Sequence, residues 1–482
     1  MIGSLFRRSR DEVCTPMLFE RNFETIIVGG GPAGLAILLS AHRCGRLKQM
    51  LEDGLLILEQ DTTLGRGSIG SYTIDSDSTG DTFLDPLRKG DEEVLHNILE
   101  TPLARRIATA GSGAIPLRDA GELLELIGRA IQTIIARYPR SSVQTSCAAE
   151  KAQQGPDGKW RITARDRDGH QRIYRADHLV LATGATQPWK RLQQETVCGV
   201  PVVNRWGDRL VQSNEVIRKG GLLRIAELLG GIQTPRVAIL GGSTSAMAVC
   251  HSLLHRTPGV DFGEGGVTLF HRRPLRVYYT SPEEALAEGY TEFGAQDLCP
   301  LTNRVYRLAG LRLSSRELLM QVQGIGGRPP EPRMRMHLLT GDDPEAIEWI
   351  DSAHLVIAAF GYRPRGLRMV DSDGREIRTF AETGPSAPMV DGRCRVMNER
   401  GQPIEGVYGI GLAAGFVPHG ELGGEPSFAG QANGLWLWQT NVGALIVEAV
   451  TTNAPVVLPV RMRPQLRPTT APQTMAIVPE AV

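Results

Sequence analysis

Twice in this chain an apolar strand runs into a glycine-rich turn and then into a helix of small and apolar residues. In the first copy the strand is Thr25 to Val28 and the turn holds Gly29, Gly31 and Gly34, with Pro32 and Ala33 between the last two. Gly29 permits the tight turn, Gly31 lets backbone approach a pyrophosphate, and Gly34 lets the helix pack closely on the strand. The next apolar run, Leu55 to Leu58, ends in Glu59 and Gln60. A carboxylate there is placed to accept hydrogen bonds from both hydroxyls of an adenosine ribose, while the helix N-terminus faces the diphosphate. A glycine turn that binds nothing is the plain alternative, but strand, turn, helix, strand and acid follow in order, and that context selects a dinucleotide site.

The second copy starts at Val237 to Leu240 and turns through Gly241, Gly242, Ser243, Thr244 and Ser245, with Ser243 for the middle glycine and Ala246 for the last. Its following strand, Gly266 to Phe270, ends in His271, Arg272 and Arg273, where a site for NAD would offer Asp or Glu. Guanidinium groups there suit a ribose 2′-phosphate, which favours NADPH; a solvated basic pair is the alternative. The run HLV occurs at His178 and again at His354, each time in a buried strand placed to close one nucleotide unit. One unit then holds a flavin dinucleotide and the other the nicotinamide that reduces it.

At 482 residues the chain needs two or three domains. Lys plus Arg equals Asp plus Glu at 53 each, so no overall field recruits nucleic acid or an anionic membrane, and small molecules are the expected partners. Seven scattered cysteines without a CxxC pair predict a reducing cytoplasm, no metal site and no redox-active dithiol. Neither a signal peptide nor an apolar span of about 20 residues is legible, so a soluble protein is expected. A homo-oligomer is compatible with the sequence.

The expected fold is α/β, two Rossmann-like dinucleotide-binding domains with the NADPH domain inserted into the FAD domain. Residues 1–22 form an N-terminal extension, 23–212 and 376–450 the FAD-binding domain, 213–375 the NAD(P)H-binding domain, and 451–482 a Pro-rich C-terminal tail. The polar stretch Leu64 to Asp85 reads as a loop, with Arg66, Gly67, Ser68, Ser76, Asp77 and Ser78 toward the cofactor cleft. Arg118 to Tyr138 has helical apolar spacing, Met320 to Val322 looks strand-like, and a helix is expected from near Ser427.

The combination of GGGPAGLA with Glu59, LATGA, GGSTSA with HRR, and AAFGYRP resembles the two-dinucleotide-domain flavoproteins, nearest to the class B flavin monooxygenases that include amine and amino-acid N-hydroxylases. The resemblance implies that Gly29, Gly31 and Gly34 hold the FAD diphosphate and that Thr183 and Gly184 form the turn between domains. It implies Gly241, Ser243 and Ala246 at the NADPH diphosphate and Arg272 and Arg273 at its 2′-phosphate. The family's Gly-Asp, which reaches the ribityl chain of FAD, is Gly411 and Leu412 here, so Gly411, Gly415 or nearby backbone is expected to substitute. The implied chemistry is NADPH-driven oxygenation of an amine, amino acid or sulfide by O₂ through a C4a-hydroperoxyflavin. Gln431 and Asn433 are expected beside the flavin, and His419, Glu421 and Glu425 are placed to orient substrate or relay a proton. Two rivals are an FAD-dependent NAD(P)H oxidoreductase or oxidase without oxygenation, and a non-catalytic flavin-binding regulator.

Overall fold

The computed structural model describes residues 20–451, apart from positions 385 and 419. Two parallel sheets carry the two glycine turns. In the first, the parallel core runs in space Ser142–Gln144, Leu55–Leu58, Arg21–Val28, Gln171–Leu181, Pro403–Gly409. The N-terminal half of Gln171–Leu181 also pairs antiparallel with Trp160–Asp166, which pairs with Cys147–Gln154. The first strand starts at Arg21, inside the expected extension, because Arg21 to Phe23 pair with Tyr174 to Ala176.

The second sheet has five parallel strands in the order Leu210–Gln212, Leu355–Ala358, Val237–Leu240, Val267–His271, Met334–Leu338. In both sheets the strand bearing HLV lies directly beside the strand that enters the glycine turn. All of the second sheet falls between two strands of the first in sequence, so its unit is an insertion. The two crossings are zipped together: Ala185–Thr186 pairs antiparallel with Arg363–Pro364, and the Arg365 amide donates to the Gly184 carbonyl at 2.9 Å. The Thr183 hydroxyl also donates to the Arg365 carbonyl. The chain has rejoined the first sheet by Arg368–Val370, which pairs with Lys151 to Gln153.

The helix Pro32–Arg43 is buried along its whole face from Ala33 to His42, which explains its small and aliphatic composition. Each of Leu35, Ile37, Leu38 and Leu39 is at most 1% exposed and contributes roughly 1.5–3 kcal/mol by burial. The C-terminal helix Gly443–Thr451 covers it, and a Cβ at Gly443 would lie 2.2 Å from the Ser40 hydroxyl oxygen.

Three local readings fail. Asp75–Thr79 is a strand paired with Ala114–Pro116, although nothing in its polar sequence alternates. Met320 to Val322 lies in the helix Leu313–Gln323, which buries Leu318, Leu319 and Met320 and ends at Gly324 in the left-handed region. The helix expected from Ser427 begins at Leu435, because Pro426, Gly430 and Gly434 favour an extended approach. Among the described residues no helix is long and apolar enough to cross a membrane.

Candidate functional site

At the first turn the two outer glycines are required by packing. Gly29 has φ +103°, and a Cβ there would sit 2.3 Å from the Ala182 carbonyl oxygen; at Gly34 it would sit 2.1 Å from the Gly29 carbonyl oxygen. Gly31 differs: its φ is −72°, and a Cβ would meet only Gly67 Cα at 3.7 Å. The helix that follows has no side-chain cap, so the amides of Ala33 and Gly34 are left for a ligand. Glu59 is 5% exposed at the end of its strand and accepts from the Gly30 amide at 2.6 Å and the Asp61 amide at 2.8 Å. Burial pushes its carboxyl above the usual range, with those amides opposing. An open position at Gly31, free helix amides and a fixed carboxylate fit the diphosphate and ribose of a dinucleotide.

Around this turn the other expected residues divide. Gly67 lies against Gly31 and Pro32, whereas Arg66 is turned to Glu125 at 3.5 Å, and Gln60 and Ser68 are exposed. Gly411 is next to the helix start, since a Cβ there would come within 3.0 Å of Ala33 Cβ. Thr183 and Gly184 serve the crossing between sheets.

The second turn repeats the first at Gly241, where φ is +133° and a Cβ would lie 2.4 Å from the Ala359 carbonyl oxygen. Ser243 changes the chemistry, because its hydroxyl caps its own helix at the Ala246 amide, 3.4 Å away, and meets Ser245 Oγ at 2.9 Å. His271 is corrected: it is 5% exposed, and its Nδ1 is 2.8 Å from the Arg273 carbonyl oxygen, so it pins the strand end. Burial pulls its pKa below the ordinary value. Arg272 and Arg273 are both exposed to the cleft, and Arg272 donates to the Thr196 carbonyl.

A cleft of about 1920 Å³ starts at Gly241 to Ser245 and runs past Asp77, Tyr278 and Arg312 to Leu412, Ala413 and the segment Ser427 to Leu437. That exceeds the ~300–1,000 Å³ of an ordinary ligand site, so there is room for a cofactor and a second molecule. The cleft thus joins the second turn to Leu412, which follows Gly411 in the chain, the residue that abuts Ala33 at the first helix start.

Gln431 and Asn433 line this cleft from the extended segment before the helix, not from its first turns. The Asn433 carboxamide oxygen accepts from the Ala413 amide at 3.1 Å and holds Ala413 at φ +64°. Gln431 reaches the Ser386 carbonyl at 3.4 Å. Glu421 is exposed, and His419 lies outside the described residues. Glu425 is not free to bind substrate: it is 3% exposed and accepts from the amides of Leu308 at 3.0 Å and Ala309 at 2.8 Å. Sequence reasoning missed this clamp because its partners are backbone groups far along the chain. It also missed Arg304, Arg307 and Arg312 in the cleft wall.

Asp77 is solvent-exposed on the cleft wall, with protein crowding its carboxyl from the other sides. Burial pushes its pKa up to about 6, and Arg312 opposes the shift. A carboxyl raised in the folded state makes stability fall as pH rises from the ordinary 3.8 to about 6. Asp77→Asn should therefore raise the melting temperature above pH 6, by a small amount because solvent screens this exposed side chain, and leave it unchanged below pH 3.8. Thermal unfolding of both proteins across that window checks this, and an equal difference at both ends would contradict it.

The profile of the pyridine nucleotide-disulphide oxidoreductase family matches residues 23–293. The chain is 32% identical over 440 residues to the CMP-5′-(3-aminopropyl)phosphonate hydroxylase of Streptomyces rubellomurinus, covering 90% of this chain and 98% of that protein. Its fold is similar to the FAD-bound cadaverine monooxygenase of desferrioxamine biosynthesis from Erwinia amylovora, with a TM-score of 0.54 at 13% identity over 95% of this chain and 100% of that one. It is also similar to the ornithine hydroxylase of Pseudomonas aeruginosa, with a TM-score of 0.51 at 16% identity over 89% and 99%.

Proposed function

The chain belongs to the pyridine nucleotide-disulphide oxidoreductase family, and from that membership we propose that it is an FAD-dependent, NADPH-consuming monooxygenase that N-hydroxylates a small primary amine. The observation that carries this reading is a cleft that runs from the second glycine turn to Leu412, next in the chain to Gly411 at the first helix start. A nicotinamide and a flavin bound by the two turns would share this space, with volume left for a substrate. The near-full-length hydroxylase relative supports oxygenation as the outcome. The disulfide-reductase branch is disfavoured, because no two cysteines stand in a CxxC pair and all six cysteines among the described residues are free.

In this reading the first sheet's unit binds FAD and the second sheet's unit binds NADPH. Gly31, the amides of Ala33 and Gly34, and Glu59 hold FAD. Gly241 to Ser245 hold the NADPH diphosphate, and Arg272 and Arg273 its 2′-phosphate. FAD and NADPH, when bound, supply the electron transfer and oxygen activation. The chain's own part is positioning and exclusion of water. Leu412, Phe428, Trp436 and Leu437 give the cleft an apolar side that keeps water from the reacting centre. The uncapped helix start at Gly434 points amide dipoles into the same space, where they stabilise negative charge. Asn433 holds the Ala413 turn beside Leu412 by accepting from the Ala413 amide.

The direct test is product analysis. Purified protein should be yellow, and with a suitable primary amine it should consume NADPH and form a hydroxylamine in equal amounts by mass spectrometry. NADPH oxidation that yields only hydrogen peroxide with every amine would leave the oxidase reading instead. Cofactor choice is tested separately: Arg272→Ala with Arg273→Ala should raise the KM for NADPH by about 10- to 100-fold, as loss of charge-assisted phosphate contacts requires, and should change the KM for NADH little. Equal effects on both cofactors would remove the 2′-phosphate assignment.

A further inference from the structure

One strip of the cleft wall, between residues 304 and 312, gathers three arginines with no carboxylate in ion-pair contact among the described residues. Arg307 is 7% exposed, and its guanidinium donates to the Leu422 carbonyl at 3.2 Å and to Cys299 Sγ at 3.4 Å, 5.1 Å over the ring of Trp436. Arg312 donates to the Arg307 carbonyl and lies 4.1 Å over the ring of Tyr278. Arg304 is exposed into the cleft. Carbonyls and ring faces orient these groups. Against burial, Thr302, the Gly424 amide and Arg307 bring the Cys299 pKa down to about 7, so this thiol offsets part of the Arg307 charge, whereas among the described residues Arg304 and Arg312 have no carboxylate at ion-pair distance. Burial pulls the Arg312 pKa below the ordinary arginine value, Tyr278 and Asp77 oppose that shift, and Arg304 and Arg307 add to it by repulsion.

Burying and clustering like charges disfavours folding unless an opposite charge arrives. The helix Leu313–Gln323 adds to the imbalance, since it starts at Arg312 without a side-chain cap and presents its positive end to the cleft. These arginines are separate from Arg272 and Arg273, which stand at the end of the strand Val267–His271 beside the second glycine turn.

We propose that Arg304, Arg307 and Arg312 form an anion site that holds a phosphate or phosphonate group at the far end of the amine substrate, leaving its nitrogen toward Leu412 and the Gln431 to Gly434 segment. This rests on the N-hydroxylase reading and adds a substrate class to it: an amine that carries a phosphorus oxyanion. Planar guanidinium forks match such oxyanions bidentately, and an anion so held gains from the mutual repulsion it relieves. The cleft is large enough for the bulkier case, in which the oxyanion belongs to a nucleotide.

The test uses the whole flavoprotein, two amines and one ligand without an amine side chain. Wild type should show a KM for 3-aminopropylphosphonate at least about tenfold below that for 1-aminobutane, the size expected from a charge-assisted contact. Arg304→Glu, at an exposed position that folding tolerates, and Arg312→Gln should collapse that ratio without changing the KM for NADPH. Calorimetric titration with CMP reads the site without turnover, and Arg304→Glu should weaken any CMP binding at least about tenfold. Tight binding of CMP assigns the oxyanion to a nucleotide; discrimination between the amines without CMP binding assigns it to a simple phosphonate. Equal KM values for the two amines together with no CMP binding would overturn the proposal, as would an effect of the variants confined to NADPH. If CMP binds through these arginines but no amine is hydroxylated, the anion site stands and the N-hydroxylase reading falls.

Discussion

Gly29→Ala should destabilise the protein by more than about 4 kcal/mol, whereas Gly31→Ala should fold normally and lose flavin. The two positions stand two residues apart in the same motif, and their surroundings separate the outcomes. At Gly29 the backbone has φ +103°, which an L side chain rarely adopts, and the new methyl would overlap the Ala182 carbonyl oxygen at 2.3 Å. Relief requires the strand Gln171–Leu181 to move away from Arg21–Val28, breaking the register between them. At Gly31 the backbone is ordinary and the methyl meets only Gly67 Cα at 3.7 Å, so it projects into the space assigned to the diphosphate. Flavin absorbance per protein and thermal unfolding of the apoprotein distinguish the two. Normal stability in Gly29→Ala, or full flavin content in Gly31→Ala, would show that the turn is not used in this way.

Glu425→Ala should cost about 2–4 kcal/mol, visible as a fall of about 2–4 °C in melting temperature for a chain of this length. The carboxylate is buried and takes the amides of both Leu308 and Ala309, so its removal leaves two partly buried donors without a partner. It also ties the glycine-rich segment before the last helices to the strip that carries Arg307 and Arg312. The neighbouring contacts run the same way: the Ser427 amide donates to the Gln296 carbonyl at 2.9 Å, and a Cβ at Gly423 would come 2.4 Å from Arg307 Nη1. Glu425→Gln, which keeps an acceptor oxygen, should lose less than half as much. A melting temperature for Glu425→Ala within about 1 °C of wild type would contradict the clamp.

How much could be read beforehand follows from the range of the interactions. The turns at Gly29 and Gly241, the strand Leu55–Leu58 with its terminal Glu59, and the two HLV strands were legible because glycine need, apolar runs and strand ends are local properties. The strand Asp75–Thr79 was not, since its ladder depends on Ala114–Pro116 and its own side chains are polar. His271 looked like a ligand beside two arginines, and only its burial reveals a structural pin.

The sequence by itself determined that two dinucleotide folds share this chain, one inserted in the other, because each glycine turn and its flanking apolar strands can be satisfied in only one local geometry. Tertiary structure alone decided what stands between them. The Glu425 clamp, the Asn433 brace on Ala413 and the arginine strip unite residues distant in sequence, and their chemistry exists only when packing removes water and competing partners.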